Sequence, residues 1–369
     1  MVLWIISELF PPDETSTSYI LGEIANAACS EYEVKVICGP AVYDKNKRVD
    51  LVHPFLLNPS VEVYRSEDDC VDKNTIAGKI HSFWATSKRL FALAKRDVKD
   101  GDKVLLVTNP APLILLMSKM RTTRQFELNI LVHDVFPENT LPAGIRVPLF
   151  AFKLIKKKFD RAYSRADKLI AIGRDMADVL RRKTGNNVEI EIVENWGDVD
   201  GIHPQPFPNG PIRLEYAGNL GRVQGLDKLI DGLPDGIELH LYGSGAMEQV
   251  LKDKKKTSVF FHGPYLRSQQ QEILGACHAS IVTLSEGMYG LGVPSKAYNI
   301  LASGRPIIYF GPKNGEIGLL IREFGIGYIG WPSKWDMEEL IEMGTKAREL
   351  AVSSYSKRAI LDKFLKALR

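Results

Sequence analysis

The sequence predicts an α/β protein of two Rossmann-like domains, each a parallel sheet buried between helices, facing one another across a cleft. Three observations predict it. Short runs rich in Val and Ile alternate with longer stretches of helical period along all 369 residues, the pattern of strands buried on both faces. There are thirteen such runs, more than one open sheet of ordinary size holds. Residues 197–211, GDVDGIHPQPFPNGP, hold four prolines and no periodicity, the composition of an interdomain linker. The expected domains are therefore 1–200 and 201–369, with the last helical stretch, Ser356 to Leu368, able to pack on either.

In the first domain the expected strands are VLWIIS, EVKVIC, VEVY, KVLLVT, NILVH, KLIAI and VEIEIV. In the second they are IRLEYA, IELHLY, VFFHG, SIVTL, PIIYF and IGYIG. Helical period lies between most of them, as from Ile76 to Lys95 and from Arg174 to Lys183.

Composition sets bounds. Hydrophobic content of 45% and charged content of 25% suit a soluble globular protein. The net charge of +3 is too small to indicate nucleic acid. It is unevenly spread, with twelve Lys or Arg against four Asp between Arg146 and Lys183. Cys29, Cys38, Cys70 and Cys277 have no CxxC spacing, so neither a zinc site nor a disulfide framework is expected, and a reduced, cytosolic compartment fits. The N-terminus enters VLWIIS without a basic leader, and no apolar stretch reaches membrane-spanning length.

Ligands of open α/β sheets bind beyond the carboxyl ends of the strands, so the informative loops follow strands. The most informative run is GLGVPSKAYNILASGRP, residues 290–306. Its glycine turn frees backbone N–H groups at a helix start, where Lys296 adds a positive charge, and Gly304 and Pro306 end the helix. Such a unit suits a phosphate; the alternative is an ordinary helix cap with a solvated lysine. After VLWIIS, Thr15, Ser16, Thr17 and Ser18 stand at a helix start, where they can cap it or meet an anionic ligand. After NILVH, His133 and Asp134 make a catalytic or sugar-orienting pair, with Glu138 also able to fix hydroxyls. The bland alternative is a strand-end histidine and two solvated acids.

After IRLEYA, Gly218, Asn219, Gly221 and Gly225 surround Arg222, whose guanidinium can grip two phosphate oxygens. The pattern is GxxGxxxG, neither the dinucleotide fingerprint nor a Walker loop. Gly243 opens the next helix. Tyr265, after VFFHG, lies against a base or closes a loop. Glu286, after SIVTL, stands beside the expected diphosphate, where it would meet sugar hydroxyls. Asp198-Val-Asp200 spells the DxD of metal-dependent sugar transferases, but it lies in the linker, where paired acids commonly form turns; no metal or other cofactor is expected. Residues 147–165 place Lys153, Lys156, Lys157 and Arg161 on one helical arc and most apolar residues on the other, with Lys158, Leu149 and Phe150 out of pattern. This is either a core-packed helix with a solvated basic face or an interfacial helix on anionic lipid.

Together, FPP near the N-terminus, HDVFPE, ADKLIAIGRDM, VENWGD, YAGNLGRVQGL and GVPSKAYNILASGRP resemble the family 4 glycosyltransferases of the bacterial surface-polysaccharide type, in family order and spacing across almost the whole chain. The resemblance implies the GT-B fold, with the donor held mainly by the C-terminal domain. It implies retaining, metal-independent transfer of a sugar from a nucleotide diphosphate, UDP rather than GDP, to a saccharide acceptor linked to polyprenyl diphosphate. Arg222 and Lys296 would neutralise the diphosphate with the amides around Gly292 and Val293 and with Ser295. Asn299 falls where many relatives carry the second glutamate of a Glu-x7-Glu motif that binds ribose; Leu291 stands at the first, and Glu286 is the nearest substitute. Gln224 replaces a common lysine. His133 and Asp134 would orient the transferred sugar, and Thr15, Ser16, Thr17 and Glu138 would face the acceptor. The expected enzyme is cytoplasmic, peripheral at the inner face of the membrane, with no nucleic-acid partner. Two other classes fit the architecture: a non-hydrolysing sugar-nucleotide epimerase, and a catalytically silent nucleotide-sugar-binding partner.

Overall fold

Every expected run is a strand. In the computed structural model, residues 1–13, 15–41, 54–67, 76–142, 144–145, 147–185, 187–254, 256–285 and 287–369 are described. In the first domain β1 (Val2–Ser7), β2 (Glu33–Cys38), β3 (Glu62–Arg65), β4 (Lys103–Val107), β5 (Glu127–Val132), β6 (Lys168–Ala171) and β7 (Glu189–Ile192) form one sheet in the order β3-β2-β1-β4-β5-β6-β7. In the second, β8 (Ile212–Ala217), β9 (Ile237–Tyr242), β10 (Val259–Gly263), β11 (Ala279–Thr283), β12 (Ile307–Phe310) and β13 (Gly327–Ile329) follow the order β10-β9-β8-β11-β12-β13. All the strand pairs are parallel. β4 and β11 are buried at every residue, Lys103, Ser280 and Thr283 included, because helices cover both faces.

The two domains share a core. Residues of the first sheet and of Lys296–Ala302, Glu316–Phe324 and Met337–Ser354 belong to one apolar cluster, while a second cluster fills the other face of the second sheet. The linker is held where it enters: Gly197 donates its N–H to the Tyr355 carbonyl at 2.9 Å. The final helix, Lys357–Leu368, crosses back onto the first domain. It packs against Ser16–Ala28, and Lys357 pairs with Glu23 at 3.1 Å. Lys168 donates to the Ala367 carbonyl at 2.6 Å.

Candidate functional site

The carboxyl ends of both sheets open on a cleft holding two adjoining cavities, of about 420 Å³ and about 610 Å³. The first lies between the domains. Ser16, Thr17, Tyr19, His133 and Asp134 line it from one side; Gly218, Asn219, Tyr265, Arg267, Gly292, Val293, Ser295, Lys296 and Asn299 line it from the other. Asn195 and Trp196 of the VENWGD run close its floor near the linker. The larger cavity shares Tyr19, Arg267 and Gln270 with the first and reaches Thr15, Asp13 and Glu23.

Backbone bonds latch the two walls together. Asp134 and Gly292 form an antiparallel bridge, and Val135 donates its N–H to the Leu291 carbonyl at 3.0 Å. The loop carrying the predicted catalytic pair is thereby fixed to the loop carrying the Pro-Ser-Lys run. A turn at Gly290, with φ of +66°, makes this possible, because a Cβ there would meet the Asp175 carbonyl oxygen at 2.5 Å. The Gly290 N–H in turn donates to the Asp175 carboxylate at 3.2 Å. Beside it Arg174 pairs across the domains with the buried Glu316 at 3.0 Å. The ADKLIAIGRDM run therefore ties the two halves together.

Lys296 begins the short helix Lys296–Ala302. Its ammonium lies 3.5 Å from the centre of the Tyr216 ring, beside Gly218, where an added Cβ would come within 2.6 Å of Nζ. Nζ is buried and has no hydrogen-bond partner among the described residues. Burial pushes its pKa down, against the pull of the Glu215 carboxylate. Removing an ammonium from water without pairing it is costly, and a bound anion would relieve that cost. Gly218 itself has φ of +150°, and a Cβ on Gly243 would collide with its carbonyl. So Gly243 supports the Gly218 turn from behind and does not line the cleft.

On the opposite wall, His133 and Asp134 both donate their N–H groups to the Thr108 hydroxyl, at 3.1 and 3.2 Å. The His133 Nδ1 lies 3.4 Å from the Thr17 hydroxyl, and its Nε2 is buried without a partner. Burial pushes the imidazole pKa down to about 4, so His133 is neutral at physiological pH. Burial pushes the Asp134 carboxyl up to about 6, opposed by a hydrogen bond from Asn139. The arrangement offers a neutral imidazole and a poised carboxylate to hydroxyl groups in the cleft.

Several expected contacts fall elsewhere. Arg222 is exposed on the turn Arg222–Gln224, and neither it nor Gly221 lines the cleft. Glu138 is in the lining of neither cavity and pairs with Lys183 at 2.7 Å and with Lys156 at 3.0 Å, beneath the helix Leu149–Tyr163. Thr15 lines the larger cavity and also caps its helix, accepting the Ser18 N–H at 3.2 Å. Asn299 reaches the cleft, but its side chain accepts from the Asp198 N–H and donates to Gln270, each at 2.9 Å, so it braces the linker. The Asp198 carboxylate closes a turn, accepting the Gly201 N–H at 3.0 Å. Glu286 and Cys70 lie outside the described residues.

In the helix Leu149–Tyr163, Phe152, Phe159, Ala162 and Tyr163 are the inward face. Lys156 is drawn into the ion pairs with Glu138 and Asp160 and so leaves the free basic face. Leu149, Phe150 and Leu154 stand out at 69, 71 and 61% exposure, among exposed Lys153, Lys157, Lys158 and Arg161. The outer face is therefore mixed, apolar and basic together.

Arg267 and Glu215 were not among the expected site residues. Each left a sequence signal. Arg267 follows Tyr265 by two residues in a loop after a strand, and Glu215 interrupts the apolar run of IRLEYA.

No family model matches the chain. It is 28% identical to the probable glycosyltransferase WbjE of Pseudomonas aeruginosa over 400 residues, covering 100% of this chain and 97% of that protein. Among solved structures, sucrose-phosphate synthase from Thermosynechococcus elongatus superposes with a TM-score of 0.76 at 12% identity, covering 99% of this chain and 98% of the other. Anabaena HepE in complex with UDP-glucose gives 0.67 at 14% identity, covering 100% and 99%. The shared pair of parallel-sheet domains gives this chain the GT-B fold of these structures, and its sequence is similar along its whole length to that of a probable glycosyltransferase.

Proposed function

We propose that the protein is a retaining, metal-independent glycosyltransferase of the family 4 type. It moves a sugar from a nucleotide diphosphate, UDP in preference to GDP, to a saccharide acceptor carried on polyprenyl diphosphate, in polysaccharide biosynthesis. The observation that carries this reading is Lys296: a buried ammonium without a hydrogen-bond partner among the described residues, on the cleft wall between two parallel sheets, beside the Gly218 turn. The likeness to WbjE and to HepE, which was solved with UDP-glucose, supports the donor class.

The chemistry follows from where charge develops. As the anomeric bond breaks, negative charge grows on the leaving phosphate. A fixed ammonium at that point, together with the amides of the 290–295 loop, stabilises the transition state more than the substrate. His133, neutral, and Asp134 hold the transferred sugar from the other wall. The acceptor hydroxyl attacks from the face the phosphate leaves, and the leaving phosphate oxygen takes its proton. The acceptor enters through the larger cavity past Tyr19. The mixed face of Leu149–Tyr163 rests on the anionic cytoplasmic leaflet, its apolar side chains in the headgroup region and its cations on lipid phosphates.

The test is thermal unfolding of wild type and Lys296→Ala with UDP, GDP, ADP and CMP. A ligand at about a hundred times its dissociation constant adds about 2.7 kcal/mol. UDP is expected to stabilise wild type by several degrees and to leave Lys296→Ala unmoved. If no nucleotide shifts wild type, the donor site is wrongly placed. Time-course NMR of UDP-glucose alone separates the transferase from an epimerase, which would isomerise the sugar.

A further inference from the structure

We propose that Asn195 is a specificity-determining residue for the transferred sugar, its side-chain amide holding one hydroxyl of that sugar in the cavity between the domains. The proposal rests on reading the cleft as the site of a nucleotide sugar.

Asn195 follows β7 in the VENWGD run and is 4% exposed, yet it lines the cavity between the domains. Its side-chain amide can both donate and accept hydrogen bonds, and among the described residues it does neither. Buried amides are ordinarily paired, and an unpaired one is costly. The other amide side chains of the cavity are placed differently. Asn299 donates to Gln270 at 2.9 Å, Asn219 is exposed, and Gln224 is half-buried on the opposite wall. The neighbours of Asn195 have structural work that it lacks. Glu194 pairs with Lys363 at 2.7 Å, and the Trp196 ring packs near Tyr19, their centres 6.5 Å apart.

The place of Asn195 decides which part of the donor it meets. Gly197 is pressed against the helix Lys296–Ala302, where an added Cβ would come within 2.3 Å of the Tyr298 carbonyl oxygen. Asn195 therefore stands close to the first turn of that helix, whose Lys296 ammonium is assigned to the diphosphate. The sugar is bonded directly to that diphosphate, which brings it within reach of Asn195. On the same wall His133 carries another polar atom without a partner, its buried Nε2. His133 follows β5 and Asn195 follows β7, with β6 between them, so the two meet the sugar at different positions. A hydroxyl, like an amide, both donates and accepts. A sugar lacking it leaves the buried amide unpaired, and a site built in this way rejects such an analogue.

The measurement is titration calorimetry of wild type and Asn195→Leu with UDP, UDP-glucose, UDP-galactose and UDP-glucoses lacking the hydroxyl at C2, C3, C4 or C6. Asn195→Leu keeps the volume of the side chain and removes its hydrogen bonds. The free variant is expected to unfold at the wild-type temperature or above, because no contact within the protein is lost. UDP is expected to bind both proteins within about twofold, and UDP-glucose to bind the variant about tenfold more weakly. One deoxy analogue is expected to bind wild type about tenfold more weakly than UDP-glucose does, and to lose nothing further in the variant. A merely structural amide would produce no such coupling to a single hydroxyl. If Asn195→Leu does not fold, Asn195→Ala, which adds no bulk, carries the same comparison. A loss of UDP affinity equal to that of UDP-glucose would move Asn195 to the diphosphate or nucleoside and overturn the proposal. Deoxy analogues that rank alike in both proteins overturn it as well. A wild type that binds UDP but no UDP-sugar leaves the diphosphate site standing and removes the sugar from Asn195. If nothing in the series binds, the donor reading falls with it.

Discussion

Arg267 lays its guanidinium 3.5 Å from the centre of the Tyr19 ring, and the two residues come from opposite domains. Both also line the two cavities where they meet. The guanidinium makes no ion pair among the described residues, so its charge stays available to a ligand passing that point. A cation on an aromatic face contributes about 0.5–2 kcal/mol. Arg267→Ala is expected to raise the acceptor KM several-fold while changing the donor KM little. Initial rates with each substrate varied in turn decide it; equal rises in both constants would count against an acceptor-side position.

Lys296→Met removes an ammonium that the folded protein holds buried and unpaired. The variant is expected to unfold at the same temperature as wild type or higher, because burial no longer strips a charge of water. Its turnover is expected to fall by about 10²–10³. Calorimetric unfolding beside kcat checks both, and a destabilised Lys296→Met would show the lysine to be structural.

His133 and Asp134 pull the pH dependence of stability in opposite directions. The His133 pKa is lower in the folded state, at about 4 against 6.5. The folded state therefore binds fewer protons, and stability rises with pH through that window. The Asp134 pKa is higher in the folded state, at about 6 against 3.8. Here the folded state binds more protons, and stability falls as pH rises. Asp134→Asn leaves only the first effect. Its stability is expected to climb by about 3 kcal/mol between about pH 4 and about pH 6.5, where wild type stays nearly flat. Urea unfolding across that range reads it.

Glu138→Ala separates structure from binding. Lys183, whose side chain is 2% exposed, loses one of its two carboxylates and keeps Asp160 at 2.6 Å. A loss of about 1–3 kcal/mol in unfolding free energy is expected, with the acceptor KM unchanged. A large KM effect at unchanged stability would return Glu138 to the acceptor site.

Phe150→Ser with Leu154→Ser, and separately Lys153→Ala with Lys157→Ala, test the outer face of the helix Leu149–Tyr163. Wild type is expected to float with vesicles rich in anionic lipid and not with neutral ones. Each removed cation is expected to weaken that binding by about 1 kcal/mol. Flotation indifferent to lipid charge would refute the lipid contact.

By itself the sequence determined the strands, the linker and the loops that reach the cleft. Their period and composition are local properties: thirteen apolar runs could be read one at a time, as could the turn at Gly290 and the lysine after Pro-Ser. What only the tertiary structure decided is which side chains keep a free charge or a free hydrogen bond. Arg222 and Glu138 have the right chemistry in the right loops, yet one is exposed on a turn and the other is taken up by Lys183 and Lys156, from helices distant in sequence. Asn299 reaches the cleft but is bound by Asp198, 101 residues away. Arg267 and Glu215 acquire meaning only from Tyr19 and Lys296, which chain folding brings to them. Burial and pairing depend on contacts between distant segments, and those contacts, unlike periodicity, leave no local mark in the chain.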